Sequence, residues 1–550
     1  MFSRVWHKHY PKEVPAEIAF EKITMPEILI RSAKKFHDRV AIDFQGAEIT
    51  YRQLDDLVNR FSRALMELGV QKGDKVAVLL PNVPQVVIAC QAILRIGAIT
   101  AMNNPLYTES ELTYQLNDTG ACLIIVTDDN LEKALHLCSK TKIKTIITSA
   151  LDEYAPPAGK APTPVLSMPP NVFRFQDLMI KAAPDPVSSA ARWEDVANII
   201  YTGGTTGVSK GVMLTHANLS CNLQQYTVWM HDTVDGEESW PLVYPVYHSA
   251  GYTMHNKSIY TGWKIILVPK PTPELLVAII KNKRPTILSG VATIFVGLLA
   301  FKEFREMDLS FIKAYMTGGG PLPVETLRQL KKLRNAPVIN VYGLTEACPM
   351  STATPWSGLE KDGTVGIPYP NTDLKIVDLF EGTREMPTGE PGEILLKGPQ
   401  VMKGYLNKPD ETKDVLRDGW LYTGDIGFLD EDGYLTIVDR KKDVIVASGF
   451  NVYPKEIDEI LFAHPKILEA CTIGVPHEYR GETVKSYIVL KENEMTDAQE
   501  ITEYCRERLA PYKVPRIIEF IETLPKSPIG KILRKDLRAL AQKHNIENVH

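Results

Sequence analysis

One run of eleven residues holds the chemistry that is plainest before any fold is known: Tyr201-Thr-Gly-Gly-Thr-Thr-Gly-Val-Ser-Lys-Gly211. Its four glycines let backbone approach a ligand closely, its three threonines and one serine supply hydroxyl donors, and Lys210 adds a cation. Together they suit the oxygens of a polyphosphate. The spacing is not the Walker pattern GxxxxGK[ST], because Val208-Ser209 stands where that pattern requires Gly-Lys. A Gly/Thr turn would account for four or five such residues. Ten in this order, directly after the apolar run Asn198-Ile-Ile200, point instead to phosphate binding. The cysteines offer no competing chemistry. Cys90, Cys122, Cys138, Cys221, Cys348, Cys471 and Cys505 are odd in number, far apart and without a CxxC pair. They give no metal or disulfide framework and fit a reducing, cytosolic setting.

A loop of this kind must be held by rigid elements, and short apolar runs alternate with helical periodicity on both sides of it. Tyr51 to Leu68 places Leu54, Leu57, Val58, Phe61, Leu65 and Leu68 near helical spacing, with Thr50 as N-cap and Gly69 as stop. Lys75 to Leu80, Ala121 to Thr127 and Ile143 to Thr148 read as buried strands, and Val83 to Ile96 as a helix. That alternation predicts parallel α/β layers. A second strand-helix set spans 196–350, through Asn198–Ile200, Lys264–Val268, Thr286–Leu288 and Pro337–Val341. From about 360 to 438 the texture becomes strand-turn-strand, and Asp439-Arg-Lys-Lys-Asp443 marks a boundary before a compact α+β segment. The proline-rich stretch Tyr154 to Pro170 reads as a loop. Ile287 to Phe301, closed by Lys302 and Glu303, reads as a buried helix, with an interfacial surface as the lesser alternative.

Composition narrows the field. With 550 residues, 62 Lys plus Arg and 67 Asp plus Glu, the net charge is −5, which argues against a nucleic-acid binder. The length suits about three to five structural units. No window approaches the roughly 20 apolar residues of a spanning helix, and Met1 to Tyr10 has no apolar core of a secretory signal.

Five motifs in order then carry a resemblance. The loop at 201–211, Val341-Tyr-Gly-Leu-Thr-Glu346, Trp420-Leu-Tyr-Thr-Gly-Asp425, Asp439–Asp443 and Pro525-Lys-Ser-Pro-Ile-Gly-Lys531 resemble the phosphate loop, YGxTE, TGD, hinge and C-terminal lysine motifs of the adenylate-forming superfamily. That superfamily comprises acyl- and aryl-CoA synthetases, luciferases and nonribosomal peptide adenylation domains. Asp418 to Lys442 is similar to the signature stretch of fatty acyl-CoA synthetases. The resemblance implies a large N-terminal AMP-binding domain, 1–438, of several subdomains with parallel and mixed sheets and a small β-barrel-like part at about 360–438. A hinge at 439–443 and a small mobile α+β domain at 444–550 follow.

It also implies site residues. Thr202, Gly203, Gly204, Thr205, Thr206, Gly207 and Lys210 would meet the phosphates. Gly319, Gly320 and Pro321 would wall the adenine and acyl pockets, with Asn340, Tyr342 and Gly343 also at the nucleotide and Tyr342 stacked on adenine. Thr345 would donate to the α-phosphate and Glu346 would hold Mg²⁺, a hard cation suited to carboxylate and phosphate oxygens. His248, in Pro245-Val-Tyr-His-Ser-Ala-Gly251, would gate the carboxylate pocket. Asp425 would accept the ribose hydroxyls, with Arg440 beside it. Lys531 would bridge carboxylate and α-phosphate, Lys442 would be the pivot of the C-terminal domain, and Ser448 and Gly449 would meet pantetheine. Val446 stands where luciferases and plant aryl-CoA ligases carry a Lys, so that contact does not carry over.

The implied activity is that of an acid–thiol ligase using ATP, Mg²⁺ and coenzyme A. A fatty acid would become acyl-AMP with release of pyrophosphate, then acyl-CoA with release of AMP. The acyl pocket would draw on Tyr247–Met254, Ser289–Phe295 and Cys348–Ser351. An aryl- or shorter-chain acid ligase and a fatty acyl-AMP ligase serving a carrier protein stay open, as do a P-loop NTPase and a non-enzymatic nucleotide-binding module. The partners expected are small molecules, without nucleic acid or an integral membrane segment, in the cytoplasm; peripheral membrane contact and a homodimer are left open.

Overall fold

The computed structural model describes residues 4–156, 168–183, 185–202, 209–320, 322–447, 450–477, 481–526 and 532–547. By internal contacts the chain forms two compact units, residues 1–373 with 396–421, and residues 374–395 with 422–550.

Strands buried on both faces must be apolar along their length, as parallel strands under helices are. Leu123–Thr127 is buried at every position. It lies in an eight-stranded sheet ordered Gly404–Tyr405, Lys210–Thr215, Val196–Thr202, Ile99–Met102, Lys75–Leu79, Leu123–Thr127, Thr145–Ser149, Val172–Arg174. The last six run parallel, while the first two add an antiparallel margin. Helix Tyr51–Glu67 starts where Thr50 accepts from the Gln53 N–H, and it buries Leu54, Val58, Phe61 and Leu65 completely. Helix Pro84–Arg95 is buried at all of its positions, as a helix inside a large core must be.

A second sheet of the first unit runs Ile287–Gly290, Ala314–Gly318, Val338–Gly343, Met350–Ala353, Ile367–Pro368, the first three parallel. Ile287–Phe301 is therefore not one helix. Ile287–Gly290 pairs with Ala314–Gly318 as a strand, and the helix is Ala292–Ala300. An apolar run this short has no periodicity that separates strand from helix, and the neighbouring strand decides. A four-stranded sheet, Ser239–Leu242, Lys264–Leu267, Val40–Phe44, Ala47–Thr50, completes the unit.

The second unit contains the hairpin of strand Trp420–Leu429, from Tyr422 onward, with Leu435–Arg440; its turn is held by Asp430 Oδ1 accepting from the Asp432 and Tyr434 N–H groups. It also contains the sheet of Phe450–Val452, Ile445–Ala447, Gly481–Leu490 and Ile467–His477, with Ile517–Phe520 on Gly481–Leu490. Ile445, Val452, Ile457, Leu461, Ile488 and Ile501 close a core of its own. Among the described residues no helix is long and apolar enough to cross a membrane.

Candidate active site

In open α/β sheets ligands bind beyond the carboxyl ends of parallel strands, and the candidate residues of the first unit collect there. Strand Val196–Thr202 ends at Thr202, whose register partner on the antiparallel return strand is Lys210. The glycines and threonines between them, Gly203, Gly204, Thr205, Thr206 and Gly207, lie outside the described residues, as do Pro321, Ser448, Gly449 and Lys531. Tyr201 braces the start of this connection, its hydroxyl donating to Asp118 Oδ2 at 2.7 Å. Gly211 makes room for it, since a Cβ there would sit 3.2 Å from the Tyr201 ring.

Lys210 does not stand in open solvent. Its ammonium lies 2.5 Å from Glu411 Oε2 and 5.0 Å from the centroid of the Tyr405 ring, and this pairing holds the Glu411 carboxyl below its ordinary range. Tyr405 is placed by backbone. It pairs with Val212 on the strand that Lys210 begins, Leu406 N donates to Gly211 O, and the Tyr405 N–H donates to Thr412 Oγ1 at 2.9 Å. Its hydroxyl donates to Glu346 Oε1 at 2.9 Å.

Glu346 and Thr345 follow a strand end of the second sheet, Val338–Gly343, in the short turn Thr345–Ala347. Only glycine fits at 343, where a Cβ would overlap the Pro349 carbonyl oxygen. The Thr345 hydroxyl is 3.1 Å from that of Ser249, the first residue of helix Ser249–Thr261, which His248 caps by accepting the Ala250 N–H on Nδ1. Gly251 lets this helix approach, since a Cβ there would strike the Pro245 carbonyl. Asn340 donates to the Thr364 carbonyl, and Tyr342 is buried. Gly319, with φ of +82°, and Gly320 follow the end of the neighbouring strand Ala314–Gly318. Of the segments assigned to an acyl pocket, Met254, Ser289, Phe295, Cys348, Met350 and Ser351 are all buried. Burial also pushes the Tyr247 hydroxyl up to about 12.

The remaining candidates belong to the second unit. Asp425 and Arg440 face each other across the hairpin with Nε to Oδ1 at 3.1 Å. Lys442 is exposed, and so is Val446. The neighbouring carboxylates are tied down: Asp439 accepts from the Lys455 N–H at 2.8 Å, and Asp443 pairs with Arg538 at 2.8 Å. Arg534 reaches Asp458 at 2.6 Å and lies 3.7 Å from both Asp439 and Asp443. Burial opposes the Arg534 charge, yet Asp458 and the other carboxylates raise it overall. Burial likewise pushes Asp458 up to about 6 against the pull of Arg534.

The structure thus adds residues that motif reading missed. Tyr405, Glu411 and Ser249 meet their partners across 59, 201 and 96 positions of sequence, a separation at which no spacing signal survives. Among the described residues no group of three or more His, Cys, Asp or Glu could hold a metal alone. One half-buried carboxylate beside two hydroxyls does fit Mg²⁺, which commonly binds through one or two carboxylates together with substrate phosphates and waters.

Parallel sheets under helices, with a Gly/Thr-rich sequence after a strand of one sheet and a Thr-Glu turn after a strand of another, are the arrangement of an α/β enzyme. The chain belongs to the AMP-binding enzyme family: the family's sequence profile matches residues 29–406, and the AMP-binding enzyme C-terminal domain matches residues 456–531. It is 41% identical over 547 residues to the long-chain-fatty-acid–CoA ligase of Bacillus subtilis, covering 97% of this chain and 98% of that one. ATP-bound MatB from Rhodopseudomonas palustris superimposes with a TM-score of 0.85 at 29% identity, over 94% of this chain and 99% of that one. The o-succinylbenzoate CoA synthetase of Bacillus subtilis, in complex with ATP and magnesium ion, gives 0.79 at 28% identity, over 93% and 98%.

Proposed function

We propose that this enzyme activates a fatty acid in two steps. The carboxylate attacks the α-phosphorus of ATP, giving acyl-AMP and pyrophosphate; the thiol of coenzyme A then takes the acyl group and AMP leaves. The observation that carries this is the contact chain Lys210, Tyr405, Glu346 at the strand ends, with Thr345 on Ser249. It is found in an AMP-binding enzyme 41% identical to a long-chain-fatty-acid–CoA ligase.

Neither step needs a nucleophile from the protein, so its work is positioning and charge neutralisation. Lys210 and the hydroxyls of the 202–209 connection meet the phosphates, Thr345 donates to the α-phosphate, and Tyr342 stacks on adenine. Glu346 would hold Mg²⁺, which supplies charge neutralisation at the phosphates. Asp425 accepts the ribose hydroxyls with Arg440 beside it, His248 gates the carboxylate, and Lys531 bridges carboxylate and α-phosphate. The 439–443 segment, with Lys442, serves as the hinge by which Lys531 withdraws before the thiol arrives. Ser448 and Gly449 present backbone to pantetheine. All seven cysteines are free of disulfides, which supports a cytoplasmic setting.

The test uses the full chain with ATP, Mg²⁺, coenzyme A and acids from acetate to oleate plus coumarate, scored for AMP. Oleate is expected to give the most; AMP from coumarate or acetate alone would reassign the acid. Product formed only with a carrier protein in place of free coenzyme A would reassign the acceptor. Lys531→Ala is expected to lower carboxylate-dependent ATP–pyrophosphate exchange about 100-fold or more, while thioester formation from supplied acyl-AMP falls far less. Equal loss in both half-reactions would remove Lys531 from the chemistry.

A further inference from the structure

We propose that Tyr405 is a positioning residue that sets the place of the metal-binding carboxylate relative to the phosphate-binding cation. One ring serves both charges. Its face lies 5.0 Å from the Lys210 ammonium and its hydroxyl donates to Glu346 Oε1 at 2.9 Å. A cation is attracted to the face of an aromatic ring at this distance, and a hydrogen bond to an ionised carboxylate is among the stronger ones a neutral side chain can form.

The ring has little freedom to move between them. Tyr405 is 7% exposed. Its backbone is paired with Val212, two residues beyond Lys210, and its N–H is held by Thr412 Oγ1. From the other side, Met402 N donates to the Glu346 carbonyl at 2.8 Å, so residues 402–405 lie between the strand that carries the cation and the turn that carries the carboxylate. A carboxylate has about four acceptor sites, so the bond on Oε1 orients Glu346 without using up its capacity for a metal ion.

Tyr405 can act in this way only if Glu346 and Lys210 face the nucleotide as proposed above, and the test separates the two ideas. Mn²⁺ replaces Mg²⁺ as a probe because it takes the same oxygen ligands and its free form is counted directly by electron paramagnetic resonance. Binding of Mn²⁺·ATP, without acid or coenzyme A, is compared with binding of ATP in EDTA for the full-length wild type, Tyr405→Phe, Glu346→Gln and the double variant. Tyr405→Phe keeps the ring under Lys210 and removes only the hydroxyl. It is expected to weaken Mn²⁺·ATP binding about five- to tenfold and to leave metal-free ATP binding within about twofold, with a melting temperature lowered by no more than a few degrees. Glu346→Gln should abolish the benefit of metal, and adding Tyr405→Phe to it should cost nothing more.

Unchanged Mn²⁺·ATP binding in Tyr405→Phe, equal losses with and without metal, or additive losses in the double variant would each overturn the inference while leaving Glu346 as the metal residue. A full metal benefit in Glu346→Gln would overturn both.

Discussion

Lys210 and Glu411 meet with 23% and 39% of their side chains exposed. Around Arg534 the carboxylates of Asp439, Asp443 and Asp458 retain only 1%, 7% and 11%. The first cluster lies in the unit that holds the Gly/Thr-rich sequence after Val196–Thr202, the second in the unit that holds residues 439–443. A pair with this much solvent access contributes little to stability, because water and salt already screen it in part. It can be exchanged for a ligand's charge at small cost, which suits the phosphate role proposed for Lys210. A buried cluster behaves in the opposite way. Removing one member strands the others in a poorly solvated place, so the Arg534 cluster ties Asp439, Asp443 and Asp458 to the start of the helix Arg534–Glu547.

The sharpest way to break this contrast is Arg534→Met. It leaves three carboxylates without their shared cation and is expected to cost about 3–5 kcal/mol, read as a lower midpoint in urea unfolding of the full chain. A loss under 1 kcal/mol would mean that the cluster is no more cohesive than a surface pair.

Lys257 sharpens the comparison from another side, as a buried cation with rings in place of carboxylates. It is fully buried, its ammonium is 4.0 Å from the Trp263 ring, and among the described residues no carboxylate lies within ion-pair distance. Burial lowers it to about 7. With the folded value below the unfolded one, the unfolded chain binds the extra proton between about pH 7 and 10.5, so stability falls as pH drops through that window. Lys257→Met is expected to stabilise the protein by roughly 2–4 kcal/mol at pH 7. The gain should shrink steadily toward pH 10, which thermal melting across pH would follow. A pH-independent gain would point to packing alone.

The smallest expected effect belongs to the more accessible pair, Lys210 with Glu411. Glu411→Gln removes the carboxylate that occupies Lys210 and should lower the KM for ATP about two- to threefold, more at low ionic strength than at high. An unchanged or raised KM would show that Glu411 holds Lys210 for binding and does not compete for it.

How much of this was legible beforehand follows from the range of each interaction. The run Leu123–Thr127 and the stop-start pattern of Tyr51–Glu67 are local, and both appear where sequence places them. The Thr50 cap is visible for the same reason, since its partner Gln53 is three residues away. Ile287–Phe301 fails because its first four residues take their conformation from a strand at 314–318. In the site, the Thr345-Glu346 pair is legible through its motif. The partners that hold it, Ser249 and Tyr405, are not, because nothing near them in sequence announces a contact 96 or 59 residues away.

Sequence alone determined the alternation of apolar strands and amphipathic helices, the Gly/Thr-rich connection after a strand, and the order of the motifs, because these rest on residue type and on spacings of a few positions. Tertiary structure alone decided which charges meet. It set Lys210 against Glu411 and Tyr405, Asp425 against Arg440, and three aspartates around Arg534. The physical reason is that a charge is stabilised or exposed by whatever the fold packs beside it, and that neighbour is chosen by the whole chain.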